Sequence, residues 1–305
     1  MLNQIKSEIK KTLVGKESAI EGIMIALLSG GHILIEDLPG LGKTTLAKAF
    51  SKAMNCTFSR IQFTPDLMPS DLIGVSIYDK SSQKFVFQRG PLFTNILLAD
   101  EINRTSPKTQ SSLLEAMEEN QITIDGTTYV LEAPFLVIAT ENPIELQGTF
   151  PLPEAQLDRF MMRVTLGYPT LDEEMSILTL KETNEEVQTV IPQEVLMEAR
   201  RKMNDVYVDP AIKEYIVKLC KATREHASIK LGASPRASVH LFNGAKAKAL
   251  LSDRDYVIAE DVSSLFEPIV AHRLILKGEA QFRGIGTKGI LHEIVQMVEV
   301  PKVKR

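Results

Sequence analysis

Residues 32–50, HILIEDLPGLGKTTLAKAF, decide the fold. An apolar run over residues 33–35 leads into a turn with one proline and two glycines, and a helical pattern begins near Lys43. This order predicts a strand, a phosphate-binding loop and a helix, because backbone N–H groups at a helix start attract anions. Asp37 stands where the usual G-x-x-x-x-G-K-[ST] pattern has its first glycine. The stretch could therefore also be a simple turn, and the rest of the chain has to decide.

The residue types in this loop suit a bound nucleotide. Gly40 and Gly42 permit a tight turn and a close approach of phosphate groups. Lys43 supplies a positive charge to the β- and γ-phosphates, and the hydroxyl of Thr44 suits Mg²⁺. We therefore predict that nine consecutive residues bind ATP: Asp37, Leu38, Pro39, Gly40, Leu41, Gly42, Lys43, Thr44 and Thr45.

A second apolar segment, NILLADEINR over residues 95–104, ends its apolar run in two adjacent carboxylates. Asp100 is predicted to bind Mg²⁺, directly or through water, and Glu101 to polarise the water that attacks the γ-phosphate. Acidic residues at a strand end are often only solvated. Here the strand follows the phosphate loop by about fifty residues, and the two motifs together predict an ATP-hydrolysing site.

Further polar residues are candidates for the same site. The segment FLVIATEN ends in Thr140, Glu141 and Asn142, and one polar side chain there could hold the attacking water against the γ-phosphate. Arg159 precedes the last predicted strand, and Arg236 lies in the first turn of a predicted helix, where a cation opposes the helix dipole. Taken alone, either arginine could form an ordinary surface or packing ion pair.

Composition and charge exclude several protein classes. No apolar run approaches the ~18 residues that span a bilayer, and the first residues show no signal-peptide pattern. We therefore expect a cytoplasmic protein without membrane insertion. Residues 1–168 hold 15 Lys and Arg against 19 Asp and Glu, and residues 169–305 hold 20 against 20. Since neither half is basic, no nucleic-acid partner is expected. Cys56 and Cys220 lie too far apart in sequence to indicate a disulfide framework or a metal site.

The first half of the chain alternates short apolar runs with helical patterns, which is typical of a parallel sheet covered by helices. The runs around Leu97 and Val137 are almost entirely apolar, as strands buried on both faces must be. Two predicted hairpins, over residues 74–90 and 121–131, interrupt this alternation and could be surface decoration. The predicted sheet strands cover residues 33–35, 57–63, 96–99, 135–139 and 164–166.

After residue 168 the pattern becomes helical. Thr170 and Glu173 have the spacing of a capping box, and two cap residues followed by proline mark further helix starts at positions 209–210 and 234–235. No alternating strand pattern competes with these signals. We therefore predict an α/β nucleotide-binding domain over residues 1–168 and a helical domain over residues 169–305.

Five segments of the sequence resemble the AAA+ ATPases and, among them, the MoxR family. They are EDLPGLGKTT, LLADEINRTSPKTQSSLLEAMEE, DGTTYVLEAPFLVIATENP, LPEAQLDRFMMR and GASPRAS. The resemblance runs from about Val14 to the carboxyl terminus. It implies a P-loop αβα core with a five-stranded parallel sheet and two β-hairpin inserts, followed by a helical lid, and usually a hexameric ring.

The resemblance also implies roles for individual residues. Lys43 and Thr44 match the Walker A motif, and Asp100 and Glu101 match Walker B. The remaining matches are Asn142 at the sensor-1 position, Arg159 at the arginine finger, Arg236 at the sensor-2 arginine, and Val14 with Gly15 at the segment that contacts adenine.

By this resemblance the protein would be a Mg²⁺-dependent ATPase that works as a chaperone-like machine. It would remodel, mature or activate client proteins, often with a von Willebrand factor A-domain partner. The alternative within the superfamily is a metal-chelatase-like or helicase-like motor. A small-molecule kinase or GTPase and a nucleotide-binding scaffold are the other classes, although no Asn-Lys-x-Asp segment for guanine occurs in the sequence.

Overall fold

The computed structural model describes residues 1–142, 148–183 and 186–301, so position 143 of the ATENP segment and the last four residues of the predicted helical domain lie outside it. Its helices are α1 (Leu2–Lys10), α2 (Glu17–Ser29), α3 (Lys43–Ala53), α4 (Pro69–Ile73), α5 (Pro107–Glu119), α6 (Glu154–Leu157), α7 (Leu171–Thr183), α8 (Gln193–Asp205), α9 (Pro210–Glu225), α10 (Pro235–Leu251), α11 (Ala259–Val270), α12 (Gly278–Phe282) and α13 (Thr287–Met297). Short 3-10 helices cover Ile102–Arg104 and Ala271–Arg273.

The strands are β1 (Ile33–Glu36), β2 (Phe58–Gln62), β3 (Gly74–Asp79), β4 (Lys84–Arg89), β5 (Ile96–Asp100), β6 (Gln121–Ile124), β7 (Thr127–Val130), β8 (Leu136–Glu141), β9 (Met162–Val164), β10 (Ile229–Leu231) and β11 (Ile275–Leu276). Five of them form a parallel sheet in the order β2-β5-β8-β1-β9. The predicted five-stranded parallel sheet is therefore confirmed.

The central strands β5 and β8 are buried on both faces, as their apolar sequences predict. Every side chain over residues 96–99 and 136–139 is 0% exposed. The position predicted for the last strand is wrong by two residues, since β9 begins at Met162. Arg163 stands in the middle of β9, and its charge interrupts the apolar run by which a buried strand is recognised in the sequence. The Arg163 charge is balanced by an ion pair of 2.5 Å with Glu36.

Helices cover both faces of the sheet. Alternate residues of β1 show this directly: Ile33 and Ile35 join the hydrophobic cluster that includes α2 and α3, whereas Leu34 joins the cluster that includes α5. This is the αβα layering that the sequence predicts. Among the described residues, no helix has both the length and the apolar character needed to cross a membrane.

Both predicted hairpins are present and they contact each other. The pairs β3–β4 and β6–β7 are antiparallel. The Phe87 ring of the first lies 4.6 Å from the Tyr129 ring of the second, and the Ser76 hydroxyl donates to the Asp125 carboxylate over 2.7 Å. The two inserts therefore form one joint structure on the α5 side of the sheet.

The helix starts predicted after residue 168 are confirmed by their capping hydrogen bonds. The Thr170 N–H donates to the Glu173 carboxylate over 2.8 Å, and the Glu173 N–H donates to the Thr170 hydroxyl over 3.3 Å. Asp209 and Ser234 likewise cap α9 and α10. The small antiparallel sheet β10–β11 was not predicted, because strands of three and two residues are too short to show alternation.

The predicted domain boundary falls in the connection between β9 and α7. Helix α10 of the helical half packs against α2, and one buried hydrophobic cluster contains side chains from both halves, including Met24 and Leu241. The division at residue 168 stays a prediction.

The buried sheet makes a clear prediction for stability. Replacement of Leu98, which is 0% exposed in β5, by alanine should lower the free energy of unfolding by about 2–5 kcal/mol, because it leaves a cavity in the core. The matched control is Leu178→Ala in α7, where the side chain is 67% exposed and the change should stay within about 0.5 kcal/mol. Urea unfolding followed by circular dichroism measures both, and equal midpoint shifts would contradict the burial assignment.

Candidate functional site

A cavity of about 350 Å³ lies at the carboxyl edge of the sheet. The loop after β1 and the ends of β2, β5 and β8 all reach it, because parallel strands present their carboxyl ends at the same edge. The cavity therefore collects residues that are far apart in sequence. Its lining residues are Pro39, Gly40, Gly42, Lys43, Thr44, Thr45, Arg60, Gln62, Asp100, Glu101 and Asn142.

The glycines of the loop have backbone conformations that other residues rarely adopt. Gly40 has φ 86° and Gly42 has φ 89°, immediately before α3 begins at Lys43. A Cβ atom on Gly42 would lie only 2.7 Å from the Leu13 side chain, whereas the space beside Gly40 is open. The loop thus turns tightly into the helix and leaves its backbone accessible from the cavity.

Lys43 lines the cavity, and the charges of three nearby carboxylates act on its ammonium group. It donates to the Asp37 carbonyl over 2.5 Å. Burial lowers the pKa of Lys43, and the charges of Asp37, Asp100 and Glu101 oppose that shift. The arrangement therefore keeps the Lys43 cation close to Asp100, the last residue of β5, and to Glu101, which follows it.

Asp37 has a structural role at the position of the first glycine of the usual loop pattern. Its carboxylate accepts hydrogen bonds from the N–H groups of Leu166 and Gly167, the second over 3.1 Å. It thereby fastens the start of the loop to the chain that follows β9. Of the nine loop residues predicted to bind ATP, Asp37, Leu38 and Leu41 do not line the cavity, and neither do Val14 and Gly15. Leu41 packs against the hydrophobic core.

The segment predicted to contact adenine lies beside this loop. The Leu13 side chain meets Gly42, and Gly15 lies against the Glu173 carboxylate at the start of α7. Lys16 donates to the Gly167 carbonyl over 3.0 Å. Gly15 is therefore buried between the loop and the first helix of the predicted lid, and Val14, which is partly exposed, precedes it.

The Asp100 carboxylate is held from two sides. Thr140 of β8 donates to its Oδ1 atom over 2.7 Å, and Arg60 of β2 donates to its Oδ2 atom over 2.7 and 3.1 Å. Thr44, the other residue predicted to bind Mg²⁺, lines the same cavity. Carboxylate and hydroxyl oxygens are ligands that Mg²⁺ prefers, so these residues fit that ion.

Glu101 has an uncommon backbone conformation and fixed partners. Its φ is 58°, and its N–H donates to the Thr140 hydroxyl over 2.9 Å. Gln62 and Arg104 both donate to its Oε2 atom, over 2.8 and 2.9 Å. The carboxylate is therefore oriented by residues from β2 and from the turn that follows β5.

Sequence reasoning missed three of these contacts, the side chains of Arg60, Gln62 and Arg104. It placed Thr140 at this strand end but did not predict its hydrogen bonds with Asp100 and Glu101. A signal for two of the three was present. Arg60 and Gln62 alternate with apolar residues at the end of a predicted strand, and Gln62 pairs in register with Asp100. The pairing of β2 with β5, which brings them to the site, is not visible in the sequence.

Asn142 lines the cavity directly after β8, as its place in the sequence predicts. Its neighbour Glu141 faces Glu36 in register on β1. Burial first, and then the charge of Glu36, raise the pKa of Glu141 to about 7, while Arg163 opposes the shift. This second pair of carboxylates lies on the α5 face of the sheet and is not part of the cavity lining.

The two predicted arginines lie together, but away from this cavity. Arg159 contacts the Glu118 carboxylate at 2.6 Å and Arg236 contacts it at 2.5 Å. They line a separate cavity of about 180 Å³ with residues 30–32, which precede β1. The phosphate loop follows β1, so the length of this strand, roughly 13 Å for four residues, separates the arginines from the loop of the same chain.

Comparison with known proteins identifies the family. Residues 32–162 match the ATPase family associated with various cellular activities (AAA), and residues 221–294 match the AAA lid domain. The chain is 48% identical over 304 residues to the uncharacterised protein YeaC of Bacillus subtilis (strain 168), covering 99% of this chain and 95% of YeaC. It is 39% identical over 306 residues to Chaperone MoxR1 of Mycobacterium tuberculosis (strain ATCC 25618 / H37Rv), covering 97% and 81%.

A crystal structure of a candidate ATPase from Cytophaga hutchinsonii has the same fold, with a TM-score of 0.91 and 42% identity over 99% of this chain and 96% of that one. The family match, the relatives and the arrangement of loop, sheet and helical half agree. The chain belongs to the MoxR family of AAA+ ATPases.

Proposed function

We propose that this protein hydrolyses ATP in the cavity beside Lys43. One observation carries the proposal: the loop after β1 and the ends of β5 and β8 place a cation, a hydroxyl, two carboxylates and an amide around one space. A phosphoryl-transfer site needs these groups, since its catalysis consists mostly of positioning and charge stabilisation.

The loop and α3 would bind the phosphates. Backbone N–H groups at the helix start and the Lys43 ammonium attract the negative charge of the β- and γ-phosphates. Thr44 and Asp100 would hold Mg²⁺, which supplies further positive charge to these phosphates when bound. Val14 and Gly15, which lie beside the loop, are the proposed contact for adenine.

Glu101 is the proposed group that polarises the attacking water. Gln62 and Arg104 both bind its Oε2 atom, which fixes the orientation of the carboxylate. Asn142, on the neighbouring strand, is the proposed second contact for that water. Together they would hold the water between the ends of β5 and β8.

We propose further that the arginines act on the nucleotide of a neighbouring subunit in a ring, hexameric in the family's usual form. Arg159 and Arg236 are one strand length from the loop of their own chain, which supports action in another copy. Glu118 holds both guanidinium groups side by side, so they would approach the neighbour's γ-phosphate as a pair.

The work proposed for this ATPase is the remodelling, maturation or activation of client proteins in the cytoplasm, with a von Willebrand factor A-domain protein as a candidate partner. The hairpin β3–β4 supports a contact with clients, because Ile77, Phe85 and Val86 are exposed by 49%, 73% and 51%. A nucleotide-trapped Glu101→Gln form offers the bait for a pull-down. Stimulation of ATP turnover by DNA would favour a helicase-like motor instead.

Lys43→Ala should abolish nucleotide binding, because it removes the ammonium proposed to meet the β- and γ-phosphates. Isothermal titration with ATP and Mg²⁺ measures the affinity. Lys48→Ala, on an exposed position of the same helix, is the control and should bind normally. Near-normal affinity of Lys43→Ala would remove this loop as the nucleotide site.

Glu101→Gln should bind ATP with unchanged affinity while its turnover falls by at least about 10²-fold. The amide keeps the size of the side chain but cannot polarise water as a carboxylate does. Steady-state phosphate release measures turnover, with Glu119→Gln on the exposed surface of α5 as the control. Retained turnover would show that another group activates the water.

Arg159→Ala should bind ATP normally and hydrolyse it poorly, since arginine fingers in other phosphoryl-transfer systems contribute roughly 10³–10⁵ in rate. Mixing it with Lys43→Ala, whose own site is empty but whose Arg159 is intact, should restore part of the activity. Arg201→Ala, exposed on α8, is the control. Full activity at dilutions where the protein is monomeric, without rescue on mixing, would contradict the ring.

A further inference from the structure

Arg273 is a buried arginine whose donors are directed at one turn of the chain. It lies at the end of the 3-10 helix Ala271–Arg273 and is 4% exposed. Its guanidinium donates to the carbonyls of Phe160, Asp158 and Met161 over 2.6, 3.0 and 3.3 Å, and also to the Ile269 carbonyl. Three of these four carbonyls belong to the turn between α6 and β9, which carries Arg159.

The Asp158 carboxylate joins the same turn to two elements of the helical half. It accepts from the Arg273 Nε atom over 2.8 Å and from the hydroxyl of Ser234, the cap of α10, over 2.9 and 3.0 Å. Arg236, two residues after Ser234, lies 3.8 Å from the same carboxylate. The residue before Arg159 and the start of the helix that carries Arg236 are thus fastened to each other.

His240 completes the set of partners. Its Nδ1 atom accepts from Arg273 over 2.7 Å, which requires the neutral imidazole. Burial and the charge of Arg273 lower the pKa of His240 to about 3, so it stays an acceptor at neutral pH. A buried arginine is costly unless its donors are satisfied, and here α10, α11 and the turn all supply acceptors.

We propose that Arg273 is a positioning residue that sets the spacing and direction of Arg159 and Arg236 toward the nucleotide of the neighbouring subunit. The guanidinium of Arg273 holds the backbone carbonyls on both sides of Arg159. Through the Asp158 carboxylate and the Ser234 hydroxyl it also holds the first turn of α10. A shift of about 1 Å in such a group can cost roughly 10²-fold in rate. This inference rests on the proposed action of Arg159 in a ring.

The test is Arg273→Lys, which keeps the positive charge but replaces the planar guanidinium and its five N–H donors by a single ammonium group. ATP affinity should be unchanged and kcat should fall by about 10- to 100-fold. The variant should be rescued on mixing with Lys43→Ala, which donates intact arginines to its filled sites. It should not be rescued by Arg159→Ala, because neither variant then donates a well-placed finger.

Arg254→Lys is the matched control. Arg254 is a partly buried arginine of the helical half that donates two hydrogen bonds to the buried Asp261 carboxylate, over 2.6 and 2.8 Å. It has no contact with the turn among its described hydrogen bonds, and Arg254→Lys should keep wild-type kcat. Asp158→Asn should show the same mixing pattern with a smaller loss, which keeps the test decisive if Arg273→Lys does not fold.

Two results would overturn the inference in different ways. If Arg159→Ala is rescued by Lys43→Ala but Arg273→Lys is not, Arg273 acts on its own site or on stability, and only this inference is wrong. If Arg159→Ala itself is not rescued, the proposed ring mechanism is wrong and the inference falls with it.

Discussion

Parallel pairing of β1, β8 and β5 is the constraint on which the rest of the structure depends. In register, Ile33 to Glu36 pair with Ile138 to Glu141, so the chain leaves all these strands at one edge. The loop before α3, the acidic pair at the end of β5 and Asn142 meet at this edge, although they are far apart in the sequence. The same direction of travel places Arg159 at the opposite edge, because the chain enters β9 there.

The local features of the fold could be predicted from the sequence because each has a local cause. The double burial of β5 and β8 appears as uninterrupted apolar runs, the hairpin turn as Asp125 with Gly126, and the start of α7 as a capping box. The residues of the phosphate loop and the acidic pair could be predicted for the same reason. Each lies in a short sequence motif whose residue types match what phosphate and magnesium binding require.

The rest of the candidate site depends on long-range pairings that a single sequence does not encode in any short pattern. Gln62 reaches Glu101 only because β2 pairs with β5, and Asp37 has a tethering role only because the chain returns past the loop after β9. Glu118 holds two arginines that are 77 positions apart in the chain. No sequence motif marks Arg273. Most of its acceptors come from residues 158–161 and from His240, and only the folded structure brings them to its guanidinium.

The contact between the two hairpins bears on how such inserts can be exchanged between proteins. Phe87 packs on Tyr129 and on Phe93, and Ser76 binds the turn of the second hairpin through Asp125. A chimera that took β3–β4 from another protein and kept β6–β7 would remove the contact of Tyr129 with the Phe87 ring and leave only its edge contact with Phe93. The two hairpins therefore pack as one unit, and they would have to be exchanged together to keep this contact.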